Sequence, residues 1–149
     1  MSTYTQIIYQ IVFSTKYRER VLISKENREV LFNYIAGILK RKNCHLYQIN
    51  GVEDHIHILL HIHPSIALSA LVKDVKIASS IFIKHQHLFD GFIAWQEGYG
   101  AFTYNIRDKE KMINYIKNQV QHHKVKTHRE ELTELLIENR VDFDEKYFL

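Results

Sequence analysis

The chain has 149 residues, 46% of them hydrophobic and 25% charged, with a net charge of +3. That length supports one domain with its own core and excludes a disulfide-stapled miniprotein. No apolar run reaches membrane-spanning length, and the single cysteine, Cys44, excludes an internal disulfide and a Cys-rich zinc motif. The charge is uneven: residues 1–126 carry 17 Lys/Arg against 10 Asp/Glu, and residues 127–149 carry 3 against 7. A basic body with an acidic tail suits a polyanionic partner such as nucleic acid, and equally a well-solvated surface. The opening MSTYTQIIYQ lacks a basic region followed by an apolar one, so the expectation is no signal peptide and a reducing, cytoplasmic setting.

Alternation in QIIYQIVFST (6–15) predicts a first strand. The basic, aromatic KYRERVL follows as a loop. Ser24 is the predicted N-cap of a helix running to about Lys42 on a stripe of Val30, Leu31, Tyr34, Ile35, Ile38 and Leu39. CHLYQING (44–51) and DHIHILLHI (54–62) predict two strands joined by a very short turn. Pro64-Ser65 is predicted to open a helix to about Lys84, with Leu68, Leu71, Val72, Val75, Ala78 and Ile81 inward. FIAWQEGYGAFTY (92–104) predicts a strand region broken by glycines. Asp108 to Lys124 reads as one helix, and EELTELLIEN (130–139) as a last amphipathic helix before an extended aromatic end.

The order β-α-β-β-α-β followed by helices predicts an α+β, ferredoxin-like fold: an antiparallel sheet with two helices on one face and C-terminal helices added. The chain reads as a single domain, with a core at about 4–126 and an acidic helical tail at 127–149. Such a fold hosts many activities and selects none.

The third strand carries four histidines: His55, His57, His61 and His63. Side chains alternate along a strand, so His55 and His57 share a face while Ile56 and Ile58 turn to the core. Two imidazoles two residues apart on a rigid strand can share one metal ion. His61 lies about 20 Å further along than His55, at roughly 3.3 Å per residue, so one ion cannot serve both pairs. The second pair reads as surface or DNA-facing, and the bare His-apolar-His pattern also fits an exposed sheet face.

The helix NYIKNQVQHH (114–123) offers more. Met112, Ile113, Ile116 and Val120 cluster on one side, and Tyr115, Gln119 and His122 run along the flank. Tyr115 and Gln119 are four residues apart, one above the other. A phenol can be a nucleophile, and an amide oxygen is a hard ligand for Mg²⁺ or Mn²⁺. The same spacing also fits a tyrosine at the edge of a core.

Taken together, VFSTKYR, DHIHILLHIHPS, LVKDVKIASS, WQEGYGAF and YIKNQVQHH occur in the order found in a known family. The chain resembles the single-tyrosine HUH transposases of the insertion-sequence two-hundred class. The acidic REELTELL is similar to that family's tail, and Glu53 departs from it, since relatives often carry proline before the Asp-His. The resemblance implies that His55 and His57 bind the metal, with Gln119 as third ligand and Tyr115 as the nucleophile. It implies cleavage and rejoining of single-stranded DNA at hairpin-containing element ends, through a 5′-phosphotyrosine link. It further implies Mg²⁺ or Mn²⁺ as cofactor, a homodimer in which the tyrosine helix can serve its own or its partner's site, no membrane, and a cytoplasmic location, nucleoid-associated when acting on DNA. Two imidazoles and an amide, with no carboxylate, imply modest affinity for Mg²⁺.

Lys16, Tyr17, Arg18 and Arg20 are candidate DNA contacts, the cations for phosphates and the ring for a base. Lys73 and Lys76 add a basic stripe, and Trp95, Tyr99 and Phe102 are further aromatic candidates. Two rival readings stand beside the transposase: a non-catalytic single-stranded DNA or RNA binder that uses the sheet as a stacking platform, and a zinc hydrolase.

Overall fold

A computed structural model describes residues 2–144. Four strands, β1 (Ile8–Ser14), β2 (His45–Gly51), β3 (His55–His61) and β4 (Gly100–Tyr104), form one antiparallel sheet in the order β2-β3-β1-β4. The long helices α1 (Lys25–Arg41) and α2 (Leu68–Gln86) connect β1 to β2 and β3 to β4. This is the expected α+β, ferredoxin-like arrangement. Three short helices follow: α3 (Lys109–Lys117), α4 (Gln119–His122) and α5 (His128–Glu138).

Each face of the sheet has its own apolar layer. Ile11, Phe13, Ile56, Ile58 and Leu60 point to α1 and α2, where they meet Leu31, Ile35, Leu71 and Val75. The alternate residues face the C-terminal helices: Ile8 and Leu59 pack with Met112 and Ile116, while Val12 and Phe102 pack with Leu135 and Leu136. The C-terminal helices therefore cover the second face, and β3 is buried from His55 to Leu60. Among the described residues, helices cover both faces of β1 and β3, which leaves no open sheet face at the centre for stacking.

Several boundaries differ from the sequence reading. α1 matches it: the Ser24 hydroxyl accepts from Asn27 N–H at its start. α2 begins only at Leu68, because His63 to Ile66 form a turn in which Ile66 N–H donates to the His63 carbonyl. Val30 and Ile81, expected inward, are 43% and 63% exposed. The region 92–104 reduces to a single Thr15–Trp95 bridge and the short β4. The last helix starts at His128, two residues early, capped by a reciprocal Thr127–Glu130 box. Beyond it, residues 141–144 form no regular structure, and the rest of the expected aromatic end, 145–149, lies outside the described residues.

The expected continuous helix over 108–124 is broken at Asn118, between α3 and α4. The Asn50 amide on β2 donates to both the Ile116 and the Lys117 carbonyl at 3.0 Å. Those carbonyls lose helical partners at the break, and Asn50 satisfies them. β2 thus fixes the height at which Tyr115 and Gln119 reach the sheet.

Candidate active site

Antiparallel register puts His57 beside Val12 and His55 beside Ser14, both on the face covered by α3, α4 and α5. Both imidazoles are fully buried. Each is oriented from behind. His55 Nδ1–H donates to Asp54 Oδ1 at 2.7 Å, which turns Nε2 toward the cluster. His57 ends a directed chain: Tyr104 O–H donates to Gln10 Oε1 at 2.6 Å, and the Gln10 amide donates to His57 Nδ1 at 2.8 Å. His57 Nε2–H then donates to Glu131 Oε1 at 2.9 Å.

Glu131, on α5, is the centre of the site. The same Oε1 accepts from His123 Nε2–H at 3.2 Å and lies 3.3 Å from His55 Nε2. Its Oε2 accepts from Gln119 Nε2–H at 3.3 Å and from the Tyr115 hydroxyl. An ionised carboxylate offers about four acceptor positions, and these four donors fill them. His128, also on α5, stacks on His55 at 4.0 Å, and His122 lies against the Tyr115 ring at 4.6 Å.

The electrostatics follow from burial around that one anion. Burial alone would raise the Glu131 carboxyl, but His123, His55 and His57 facing it outweigh burial and hold the group well below the usual carboxylate range. Burial pushes the Tyr115 phenol up, and the Glu131 charge pushes it further. Burial opposes the His55 imidazolium, yet Asp54 and Glu131 prevail and hold it above its ordinary value. His57 is pushed down by burial to about 4 and His128 to about 2.

The donor set fits a divalent ion. One ligand atom each from His55, His57, His123 and Glu131 lies within 4.8 Å of the others. His55 Nε2 and Gln119 Oε1 are buried with no hydrogen-bond partner among the described residues, and such lone pairs are costly unless something binds them. Three imidazoles and a carboxylate form a more strongly binding set than two imidazoles and an amide. The sequence expectation of His55, His57 and Gln119 gains His123 and Glu131 as further candidate ligands.

The other sequence candidates divide. Tyr17, Arg18 and Arg20 line a polar cleft of about 650 Å³ together with Asp54, His123, His128, Lys124 and Lys126. Tyr17 and Arg18 both hold left-handed backbone conformations, at φ 58° and 52°. Lys16 sits in the same 3-10 turn but is not on that wall. Lys73 and Lys76 border a different groove, beside Ser69, Trp95 and Tyr99. The Lys76 ammonium donates to the Gln96 carbonyl at 2.8 Å and to that of Gly98, so it braces the loop before β4. Trp95 and Phe102 are buried, the indole donating to Ser79 at 2.9 Å, while Tyr99 is 41% exposed. His61 contacts Ile7 and Thr5, and His63 bonds Ser65; neither joins the cluster. His123, His128 and Glu131 were missed in the sequence reading. The available signal was the spacing His128, Glu131, Leu135, which puts three residues on one helical face.

Comparison with known proteins agrees with this fold. The profile of the family described as "Transposase IS200 like" matches residues 3–119. The transposase of insertion sequence element IS200 from Salmonella typhimurium is 28% identical over 122 residues, covering 78% of this chain and 79% of its own. The ISDra2 transposase TnpA of Deinococcus radiodurans is 26% identical over 119 residues, covering 76% of this chain and 84% of its own. Among solved structures, a proposed transposase from Deinococcus radiodurans superposes with a TM-score of 0.58 at 25% identity, covering 80% of this chain and 95% of the other. A REP-associated tyrosine transposase bound to a REP hairpin shares the fold, with a TM-score of 0.58 at 16% identity over 82% of this chain and 74% of the other. No helix among the described residues is long and apolar enough to cross a membrane. With a family profile spanning most of its length and the matching sheet and helix order, the chain belongs to the IS200-like transposase family.

Proposed function

We propose that the protein cuts and rejoins single-stranded DNA at the hairpin-bearing ends of an insertion element, with Tyr115 as nucleophile. The observation that carries this reading is the meeting of the Tyr115 hydroxyl and the His55–His57 pair at one buried carboxylate. A phenol and a metal-type donor set within reach of the same atoms are the two parts that phosphoryl transfer to tyrosine requires. A divalent ion, Mn²⁺ or Mg²⁺, held by His55 and His57 with Gln119, His123 or Glu131, supplies Lewis acidity toward the scissile phosphate.

The protein's own groups do the rest. Tyr115 Oη forms a bond to phosphorus, the bond from phosphorus to the 3′ oxygen breaks, and its electron pair leaves on that oxygen. The phenolic proton passes to water and the 3′ oxygen takes one up. Rejoining is the same exchange in reverse, with a 3′-hydroxyl displacing the tyrosine, so no nucleotide cofactor is consumed. Asp54 and Gln10 keep the two imidazoles in place, and the cleft lined by Tyr17, Arg18 and Arg20 leads the strand in. A cytoplasmic, nucleoid-associated homodimer goes with this reading.

A zinc hydrolase is the second reading, favoured by the third imidazole and the carboxylate. Single strands carrying the imperfect palindromes around the gene, incubated with Mn²⁺, separate the two. The transposase reading predicts a covalent protein–DNA species on denaturing gels that Tyr115→Phe does not form. A Tyr115→Phe chain that forms it at the wild-type level removes the nucleophile assignment, and cleavage with no covalent species favours the hydrolase.

A further inference from the structure

The two histidines on β3 are braced by unlike partners. Behind His55 stands a carboxylate: Asp54 Oδ1 takes its Nδ1–H. An ionised carboxylate only accepts, so it keeps the proton on that nitrogen. Behind His57 stands an amide, the Gln10 side chain, whose NH₂ donates to Nδ1 at 2.8 Å. The ring therefore carries its proton on Nε2 and donates it to Glu131 Oε1 at 2.9 Å. A neutral imidazole has one N–H and one lone pair. Here the lone pair faces Gln10, and Nε2, the nitrogen toward the donor cluster, carries the proton. Through that nitrogen this tautomer cannot bind a cation.

Gln10 is an unusual residue for its place. It is fully buried within β1, between Ile8 and Val12 along one face and opposite Leu59 and Phe102 on the neighbouring strands. Such neighbours suit a leucine or a methionine, and an amide is tolerated among them only because both its ends are bonded. Its carbonyl end accepts from the Tyr104 hydroxyl at 2.6 Å. A half-turn about the last side-chain torsion, which is roughly two-fold, exchanges the ends and leaves the rest of the glutamine in place. Oε1 then faces His57 Nδ1, and Nε2 faces the phenol. Tyr104 can follow, because a hydroxyl both donates and accepts. Tyr104 also lines a cavity of about 260 Å³ with Asp108, Glu134 and Glu138, a polar space into which the turned hydroxyl can point.

We propose that Gln10 is a reversible positioning residue: its amide turns over to accept His57 Nδ1–H, and so converts His57 from a donor to Glu131 into a ligand whose Nε2 is open to a divalent ion. One proton leaves Nε2 for water, one joins Nδ1 from water, and the ring is neutral in both states. The inference rests on the function proposed above and adds the residue that decides when His57 can bind. At this side-chain length a glutamate serves only the second state, and a methionine serves neither.

The test uses the full chain, labelled with ¹⁵N and freed of metal with EDTA. In the metal-free chain, the ring nitrogen shifts should place the His57 proton on Nε2, and the Gln10 amide protons should show nuclear Overhauser contacts to the His57 ring. With saturating Zn²⁺, a diamagnetic probe, the proton should stand on Nδ1 and the amide contacts should pass to the Tyr104 ring. Calorimetric titration with Mn²⁺ then gives the sign. Loss of an outer partner lowers metal affinity by about 10–100-fold, while a carboxylate behind an imidazole raises its basicity. Gln10→Glu should bind Mn²⁺ about tenfold more tightly than wild type, and Gln10→Met about tenfold more weakly. A glutamine that only packs would lose affinity in both variants. Affinities that move in the same direction, or amide contacts that stay on His57 at saturating Zn²⁺, overturn the proposal. The wild-type spectra decide it even where a variant fails to fold. Reversal of the amide with no Tyr115 adduct on DNA keeps the role of Gln10 and removes the nucleophile. An adduct formed by a chain whose amide does not reverse keeps the nucleophile and overturns the role of Gln10.

Discussion

At the scale of single residues, the site is two histidines whose tautomers are set by their neighbours. Asp54 takes the His55 Nδ1–H, so Nε2 is the nitrogen that faces the cluster and can bind a ligand once it gives up its proton. Removing such an outer partner lowers metal affinity by about 10–100-fold. Asp54→Ala should therefore weaken Mn²⁺ binding by that factor in calorimetric titration, with the fold intact by circular dichroism; an unchanged affinity would remove Asp54 as a positioning residue. Acid should also weaken the metal-free protein. Burial holds His57 at about 4 and His128 at about 2, while the unfolded chain protonates both near pH 6.5. Below that pH the unfolded state binds more protons, so stability falls as pH falls, on the order of 1.4 kcal/mol per pH unit for each group until its folded value is reached. Glu131, held low, has the same sign: its contribution is present above its unfolded pKa and lost in acid. His55, held high, has the opposite sign, contributing below about pH 6.5 and losing that contribution as pH rises. Urea unfolding after EDTA treatment should show a lower midpoint at about pH 5.5 than at pH 7, with part of the slope gone in His128→Phe. A midpoint that does not move would contradict these assignments.

At the scale of elements, the tyrosine helix is placed by its break. α3 stops at Lys117, α4 starts at Gln119, and Asn50 on β2 binds the two carbonyls between them. Asn50→Ala removes a donor from one part-buried carbonyl, Ile116, and one exposed carbonyl, Lys117, a loss of about 1 kcal/mol. Chemical denaturation should register that loss, and the covalent yield should fall as Tyr115 loosens; a change under 0.5 kcal/mol would make the contact incidental. The β2–β3 turn is fixed as tightly. A Cβ on Gly51 would lie 2.5 Å from the His55 carbonyl oxygen and 2.8 Å from Ile56 Cγ2. Backbone cannot yield as a side-chain tip does, so Gly51→Ala should shift His55 and lower both thermal stability and metal affinity. Wild-type affinity in that variant would show the turn to be more pliable than its packing implies.

At the scale of the whole molecule, what the sequence made legible was local. Strands and helices written in their own periods, such as QIIYQIVFST and the α1 stripe capped by Ser24, appear where expected. His55, His57, Tyr115 and Gln119 stood out by pattern and by resemblance, and the fold brings all four to one place. The break at Asn118 was not legible because its cause, Asn50, is 68 residues earlier. Nor was Glu131: an acidic helix reads as solvated until tertiary packing turns one of its carboxylates inward, here against three imidazoles. Net charge separated basic body from acidic tail but hid that the tail's buried face packs Glu131 against the body's histidines. The most direct measurement is peptide mapping of the covalent product formed from single-stranded DNA and Mn²⁺. The account predicts one nucleotide-bearing residue, Tyr115, linked through a 5′ phosphate, with a free 3′-hydroxyl on the released strand. A label on Tyr104 or another tyrosine, or a 3′ phosphate on the released strand, would contradict it.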